Sequence, residues 1–366
     1  MAVSLAPFSL HALQPAPRAQ LLASWMSVVF GVCACTPTYV PPSYAAPNLR
    51  ESPIVVGDDW PLPGVVTCPP DAERHPAVVM VGGSGGVNMD AAIGPNKPFR
   101  DTALGLASRG ICVVRYDKRK AAHRERVIAN LETLTIVDDT IDDAVMAIEV
   151  AKKYPLIEPK AIFVLGHSLG GYALPRIAAR SAIPCGFIVM AGTARPLEQV
   201  FVPQMQRFAR VDGEVSADEA AAIAEAEAAE ARVGQLRPGV HMDRMLLPGH
   251  LPVSYWLDLK AHPAAEYAGR MTRPVLVLQG ARDLNVGIEE LSGWRHNLSH
   301  NPTASFKSYP TLNHLFMVSD GKTGTRENLE PGNVAQEVIE DIAVWTRQQA
   351  TRCTEVQVPA PASGEG

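Results

Sequence analysis

Short apolar runs and amphipathic stretches alternate along most of this chain. "AVVMV" (77–81), "AIFVL" (161–165), "GFIVMAG" (186–192) and "PVLVLQG" (274–280) carry no charged residue. Unbroken apolar runs of this length predict strands buried on both faces, as in a parallel sheet. "ICVVRYD" (111–117) predicts a further strand and "SFKSYP" (305–310) a weaker last one. Two leading strands, in "IVV" and "GVVTC", are separated by Asp-Asp-Trp-Pro-Leu-Pro-Gly, a run of turn formers.

Helical spacing fills the intervals. "FRDTALGLASRG" (99–110) closes on Gly110. In "TIVDDTIDDAVMAIEVAKKYP", Ile141, Ala144, Val145, Ile148 and Ala151 fall on one helical face. Acids occupy the start of that stretch, lysines its end, and Pro155 lies just beyond, as the helix dipole favours. "ALPRIAARSA" and "NVAQEVIEDIAVWTRQQ" (333–349) predict two more helices. Strands alternating with helices imply an α/β fold, a doubly wound and mostly parallel sheet.

The alternation stops between Arg195 and Arg270. "SADEAAAIAEAEAAEARVG" predicts an alanine-rich helix with a capping box from Ser216 to Glu219 and a stop at Gly234. An insertion of this size between two strands is expected to form a helical cap over the sheet's C-terminal edge, where open α/β sheets bind ligands. Met245, Tyr255 and Trp256 either line a pocket under that cap or form the cap's own core.

The chain ends read differently. Residues 1–20 are rich in Pro and Ala, with Arg18 as their only formal charge, and an apolar run of roughly 15 residues begins at Leu21. That run is short for a bilayer span and suits a signal peptide. It ends in Val32-Cys33-Ala34-Cys35, which resembles a bacterial lipobox with Cys35 as the lipidated residue, although Cys33 is atypical there. A plain secretory peptide is the alternative. The expected layout is a signal peptide over 1–35, a proline-rich tether over 36–51, one α/β domain over 52–349 with the cap at about 195–270, and a disordered tail over 350–366. The protein is therefore expected to be exported, either periplasmic or anchored to the envelope through Cys35.

Composition narrows the field. The 366 residues suit one large α/β domain with insertions or two small domains, and 47% hydrophobic with 19% charged residues is globular. A formal charge of −5 provides no general attraction to nucleic acid. Cys112 and Cys185 sit beside apolar runs and are expected as buried thiols, while Cys68 and Cys353 could pair in an oxidising compartment.

The strongest chemical signal is "VLGHSLGGY" (164–172), which contains G-x-S-x-G between a predicted strand and a predicted helix. Only small residues at 166 and 170 let strand and helix crowd closely enough to lift Ser168 out of the sheet. A serine hydroxyl needs a base, and the base needs an orienting acid. Asp283 follows the strand at 274–280 and His314 follows the strand at 305–310. Both lie on the edge that carries Ser168, in the order Ser…Asp…His expected of such a fold. Glu289 and Glu290 fall where a helix begins and are expected to be solvated. His167 is expected to pack beside the nucleophile rather than act on it. His296 and His300 are four apart, but no glutamate completes H-E-x-x-H, and neither metal nor cofactor is expected.

"VVMVGGSGGVNMD" (78–90) is glycine-rich, yet no lysine follows as in a phosphate-binding loop, and two prolines interrupt the sequence where a dinucleotide-binding helix would start. Its place after a central strand instead suits one half of an oxyanion hole, with the N–H of Ser84 and that of Leu169 as donors.

These residues resemble the α/β-hydrolase superfamily, and more narrowly bacterial esterases related to dienelactone hydrolases and prolyl-oligopeptidase-like enzymes. The likeness rests on "GPNKPFRD" (94–101), "LASRGICVVRYDKR" (106–119), "GHSLGGYALPRIAAR" (166–180), "AGTARPLE" (191–198) and "LNHLF" (312–316). It implies a serine hydrolase acting on a small-molecule carboxylic ester without cofactor, with Ser168, Asp283 and His314 as nucleophile, acid and base. The family's loop usually begins His-Gly, and here Gly82 replaces the histidine. A peptidase, thioesterase or acyltransferase using the same three residues is the alternative, and a non-catalytic binding protein a more remote one.

Overall fold

The computed structural model describes residues 38–355. The expectations for the signal peptide and Cys35 therefore lie outside the described residues. One eight-stranded sheet organises what is described, in the order β1-β2-β4-β3-β5-β6-β7-β8. The strands are β1 Arg50–Val56, β2 Leu62–Cys68, β3 His75–Val81, β4 Cys112–Tyr116, β5 Ile157–His167, β6 Gly186–Met190, β7 Val275–Gly280 and β8 Ala304–Tyr309. β2 runs antiparallel to both β1 and β4, and every later pairing is parallel.

Helices cover both faces, so the central strands bury both rows of side chains, which is why they read as unbroken apolar runs. α1 (Pro98–Ala107), α2 (Asp142–Lys153) and α3 (Leu169–Arg180) follow β3, the loop after β4, and β5 respectively. One apolar layer joins α2, α3 and the cap to the sheet, and a second joins α1 and the C-terminal helix to its other face. Of the five positions expected on one buried helical face, only Val145 is half-exposed, and Ile141 falls just before α2. That helix is preceded by a π turn, Val137–Ile141, which apolar spacing does not reveal.

The insertion after β6 supplies α4 (Phe201–Ala209), α5 (Ala217–Gln235), α6 (Val253–Ala261) and α7 (Ala264–Ala268). The capping box of α5 is formed: Ser216 Oγ accepts from the Glu219 N–H, and the Glu219 carboxylate accepts from Ser216. At the other end the Lys260 ammonium donates to the carbonyls of Val233, Gly234 and Leu236, satisfying orphan acceptors. Tyr255 and Trp256 are fully buried in the apolar layer that the cap shares with α2, α3 and the sheet, whereas Met245 is exposed. The cap is tied to the sheet domain by a bidentate pair in which Arg176 of α3 donates to Asp258 of α6 at 2.6 and 3.1 Å.

α8 (Glu290–Asn297) follows β7, and α9 (Gln336–Glu355) closes the fold, running past residue 349 into the stretch expected to be disordered. Residues 38–49, expected as a tether, lie against α1 and α9: Tyr39 donates to Asp101 and Tyr44 to the Val334 carbonyl, both at 2.7 Å.

The cysteine expectation is corrected. Cys68 pairs with Cys112, and Cys185 with Cys353. The first pair links the end of β2 to the start of β4, neighbours in the antiparallel register. The second ties the entry of β6 to α9. Neither Cys112 nor Cys185 is a free buried thiol, and Cys68 and Cys353 do not pair with each other, because strand order sets their partners.

Candidate active site

Ser168 stands between β5 and α3 with φ 55° and ψ −118°, a region that side-chain-bearing residues avoid. The surrounding glycines make this turn possible. A Cβ on Gly166 would collide with the backbone carbonyl of Gly170, and one on Gly170 with that of Val81. The strained serine is pinned by its own N–H, which donates to the Met190 carbonyl at 3.0 Å. Its side chain is partly exposed at the sheet's C-terminal edge.

Asp283 and His314 arrive from the loops after β7 and β8 and meet there. His314 Nδ1 lies 2.8 Å from Asp283 Oδ2. A carboxylate only accepts, so Nδ1 carries the proton and Nε2 is left as the basic nitrogen. Asp283 is buried but well supplied with donors. Its Oδ1 accepts from the N–H groups of Asn285 and Val286 at 2.8 Å each, and its Oδ2 from Gln279 at 3.1 Å. These bonds hold the carboxylate's orientation.

His167 packs against His314. Its ring centroid lies 4.6 Å from that of His314, and its Nε2 donates to the His314 carbonyl at 2.8 Å. Burial, aided by the neighbouring His314, pushes its pKa down to about 3. It is therefore a neutral imidazole that holds the His314 backbone.

The glycine loop after β3 passes directly over the serine. A Cβ built on Gly83 would lie 3.2 Å from Ser168 Cβ and 3.7 Å from its Oγ. Ser84 follows at the surface. Neither its N–H nor that of Leu169, the first residue of α3, has a hydrogen-bond partner among the described residues. The Gly83 N–H likewise has no hydrogen-bond partner among the described residues.

Four contributions to this site escaped the sequence reading. Gln279 and the Asn285 and Val286 amides support Asp283, as above. Arg207 of α4 clamps the same loop, donating to the carbonyls of Leu284 (3.0 Å) and Asn285 (2.9 Å) and to Glu289 (2.7 Å), while Gln204 donates to Asn285 Oδ1 at 2.9 Å. Lys118 lies buried beneath the glycine loop. Glu290, expected to be solvated, is instead buried: it accepts from Thr193 Oγ1 (2.9 Å) and the Ala194 N–H (2.8 Å) and pairs with Arg195. Glu289 stays partly exposed but is engaged by Arg207. The donors converging on these carboxylates come from distant segments, which is why spacing near residue 290 could not announce them. His300 meets the Met271 carbonyl at 3.0 Å and takes no part in the site.

No family model matches the chain. It is 34% identical over 308 residues to Esterase EstD of Thermotoga maritima, covering 84% of this chain and 70% of that protein. Among solved structures, an esterase from Pyrococcus furiosus matches with a TM-score of 0.50 at 16% identity, covering 88% of this chain and all of that one. Est1E from Butyrivibrio proteoclasticus also matches at 0.50, with 15% identity over 82% of this chain and 99% of its own. An acylaminoacyl peptidase from Pyrococcus horikoshii matches at 0.52 with 14% identity over 84% of this chain, which spans only 44% of that longer enzyme. With the sheet order, the serine turn and the relative aligned along most of its length, the chain belongs to the esterases of the α/β-hydrolase superfamily.

Proposed function

We propose that this protein is a serine carboxylesterase that hydrolyses small-molecule carboxylic esters through an acyl-enzyme intermediate. The observation that carries the reading is the 2.8 Å bond between His314 and Asp283 on the edge that holds the strained Ser168. His314 Nε2 takes the Ser168 proton as Oγ attacks the ester carbonyl. The negative charge that develops on the carbonyl oxygen is met by the N–H groups of Ser84 and Leu169. Collapse expels the alcohol, protonated by His314, and leaves Ser168 acylated. Water, deprotonated by the same imidazole, then attacks the acyl group and restores the serine. Asp283 keeps His314 in the required tautomer and stabilises the imidazolium.

A fluorophosphonate probe should label Ser168, and Ser168→Ala should abolish hydrolysis of a p-nitrophenyl ester series of varied acyl length. Undiminished turnover by that variant would refute the assignment. Rates on matched ester, thioester and peptide substrates separate the ester reading from its alternatives. Function outside the reducing cytoplasm belongs to the same proposal and is supported by the two disulfides. Mass spectrometry of the mature N-terminus tests lipidation of Cys35.

A further inference from the structure

The glycine loop lacks the histidine with which related loops begin, so something else must hold its peptides in place. Lys118, two residues beyond β4, is 3% exposed, and its ammonium has three partners. It donates to the Gly83 carbonyl at 2.9 Å, to Asp139 Oδ2 at 3.0 Å and to Thr140 Oγ1 at 3.0 Å. All three protons are thereby used. Its backbone N–H donates to the Val87 carbonyl at 3.0 Å, so one residue grips both ends of the loop. Where a histidine would begin the loop, a Cβ on Gly82 would meet Val87 at 3.3 Å and the Lys118 stem at 3.5 Å.

Peptide geometry converts that grip into a statement about the site. In a trans peptide the carbonyl and the following N–H point in opposite directions. With the Gly83 carbonyl turned onto Lys118, the Ser84 N–H is turned away from it. The preceding peptide is turned differently. The Gly82 carbonyl lies 2.9 Å from where a Gly170 Cβ would be, so it faces α3 and the Gly83 N–H faces away from the serine turn.

We propose that Lys118 is a positioning residue for the reaction: by holding the Gly83 carbonyl it selects the Ser84 N–H, rather than that of Gly83, as the loop's oxyanion donor. This rests on the serine-esterase reading above. Asp139 and Thr140 anchor the ammonium, and the π turn at 137–141 brings both side chains to it.

The test uses the full mature protein and has two arms. In wild type, amide signals are followed by NMR before and after reaction with a fluorophosphonate, whose tetrahedral adduct places an oxygen in the site. The Ser84 and Leu169 amide protons should both move strongly downfield, and that of Gly83 should not. If Leu169 moves and Gly83 moves in place of Ser84, the proposal is overturned while the esterase reading stands. If Ser168 is not labelled at all, both fall. The second arm is Lys118→Met/Asp139→Asn, which removes the donor without leaving a buried carboxylate unpaired. Per titrated active site, kcat should fall about ten- to a hundredfold with KM within about threefold, because one oxyanion donor is displaced rather than removed. An unchanged kcat would overturn the proposal, and should the double variant not fold, the wild-type spectra alone decide it.

Discussion

Acid should destabilise this protein through His167 in particular. Its pKa is pushed down to about 3 from an ordinary 6.5, because burial beside His314 disfavours the imidazolium. In the unfolded chain it titrates normally. Below pH 6.5 the unfolded state therefore binds a proton that the folded state refuses, and stability falls as pH falls. The loss grows by about 1.36 kcal/mol per pH unit, reaching roughly 2 kcal/mol at pH 5 and roughly 3 kcal/mol at pH 4. Above pH 6.5 the contribution is fully present. A domain with about 5–15 kcal/mol in total feels such a loss. The measurement is urea unfolding of wild type and His167→Gln from pH 4 to 7.5. Glutamine can still donate to the His314 carbonyl but does not titrate, and the other ionisable groups largely cancel in the difference between the two proteins. The difference should be flat above pH 7 and should shift in the variant's favour by roughly 2 kcal/mol between pH 7 and pH 5. A difference that stays constant down to pH 4 would refute the reasoning.

Other expectations follow from the same geometry. Asp283→Asn should lower kcat by about 10⁴-fold while leaving the fold intact, because the amide no longer fixes the His314 tautomer; ester hydrolysis on purified variant measures it. Arg207→Ala should lower kcat/KM about tenfold by freeing the loop that carries Asp283, and Arg207→Lys should recover little, since a single ammonium cannot reproduce the fork. Retention of full kcat/KM in the alanine variant would show that α4 does not position the acid. Opening the Cys185–Cys353 bridge, which spans 168 residues, should cost up to about 5 kcal/mol through loop-closure entropy in the unfolded chain. Denaturant midpoints of wild type and Cys185→Ala/Cys353→Ala, without reductant, give that cost directly.

Most of the sheet is legible because its central strands are buried on both faces, so burial is written as unbroken apolar runs rather than as alternation. Ser168, Asp283 and His314 are legible for a related reason: the fold places each just past a strand end, and strand ends are easy to find. Glu290 shows where that logic stops. Its position at the start of a helix is visible, but the donors that bury it, Thr193 and Ala194, lie 96 or more residues away. The disulfide partners are hidden for the same cause, since Cys68 meets Cys112 only once β2 and β4 are known to be neighbours. Tyr255 and Trp256 look alike as pocket lining and as cap core, because apolar side chains do not state which surface covers them. The prolines of 36–51 predict a tether, yet Tyr39 and Tyr44 each have a phenol with a buried acceptor to find.

The three loops that build the site are held in a common way. Lys118 donates to the Gly83 carbonyl, Arg207 to those of Leu284 and Asn285, and His167 to that of His314. Each donor comes from another part of the chain, 35, 77 and 147 residues distant in the first, second and fourth of these bonds. Gripping a loop by its carbonyls has a chemical consequence. It uses acceptors and leaves the N–H groups free, and N–H groups are what this chemistry needs. In the proposed reaction the Ser84 amide is left to meet an oxyanion, and the amides of Asn285 and Val286 hold the Asp283 carboxylate. Had the loops been held by donating their amides, as in an added sheet strand, the same rigidity would have consumed the groups that stabilise charge. The three pins are also chemically graded. Lys118 is buried with its counter-ion, Arg207 stays partly exposed and charged, and His167 is neutral. Only the last adds no positive charge beside His314, where a cation would oppose the imidazolium that the proposed mechanism requires.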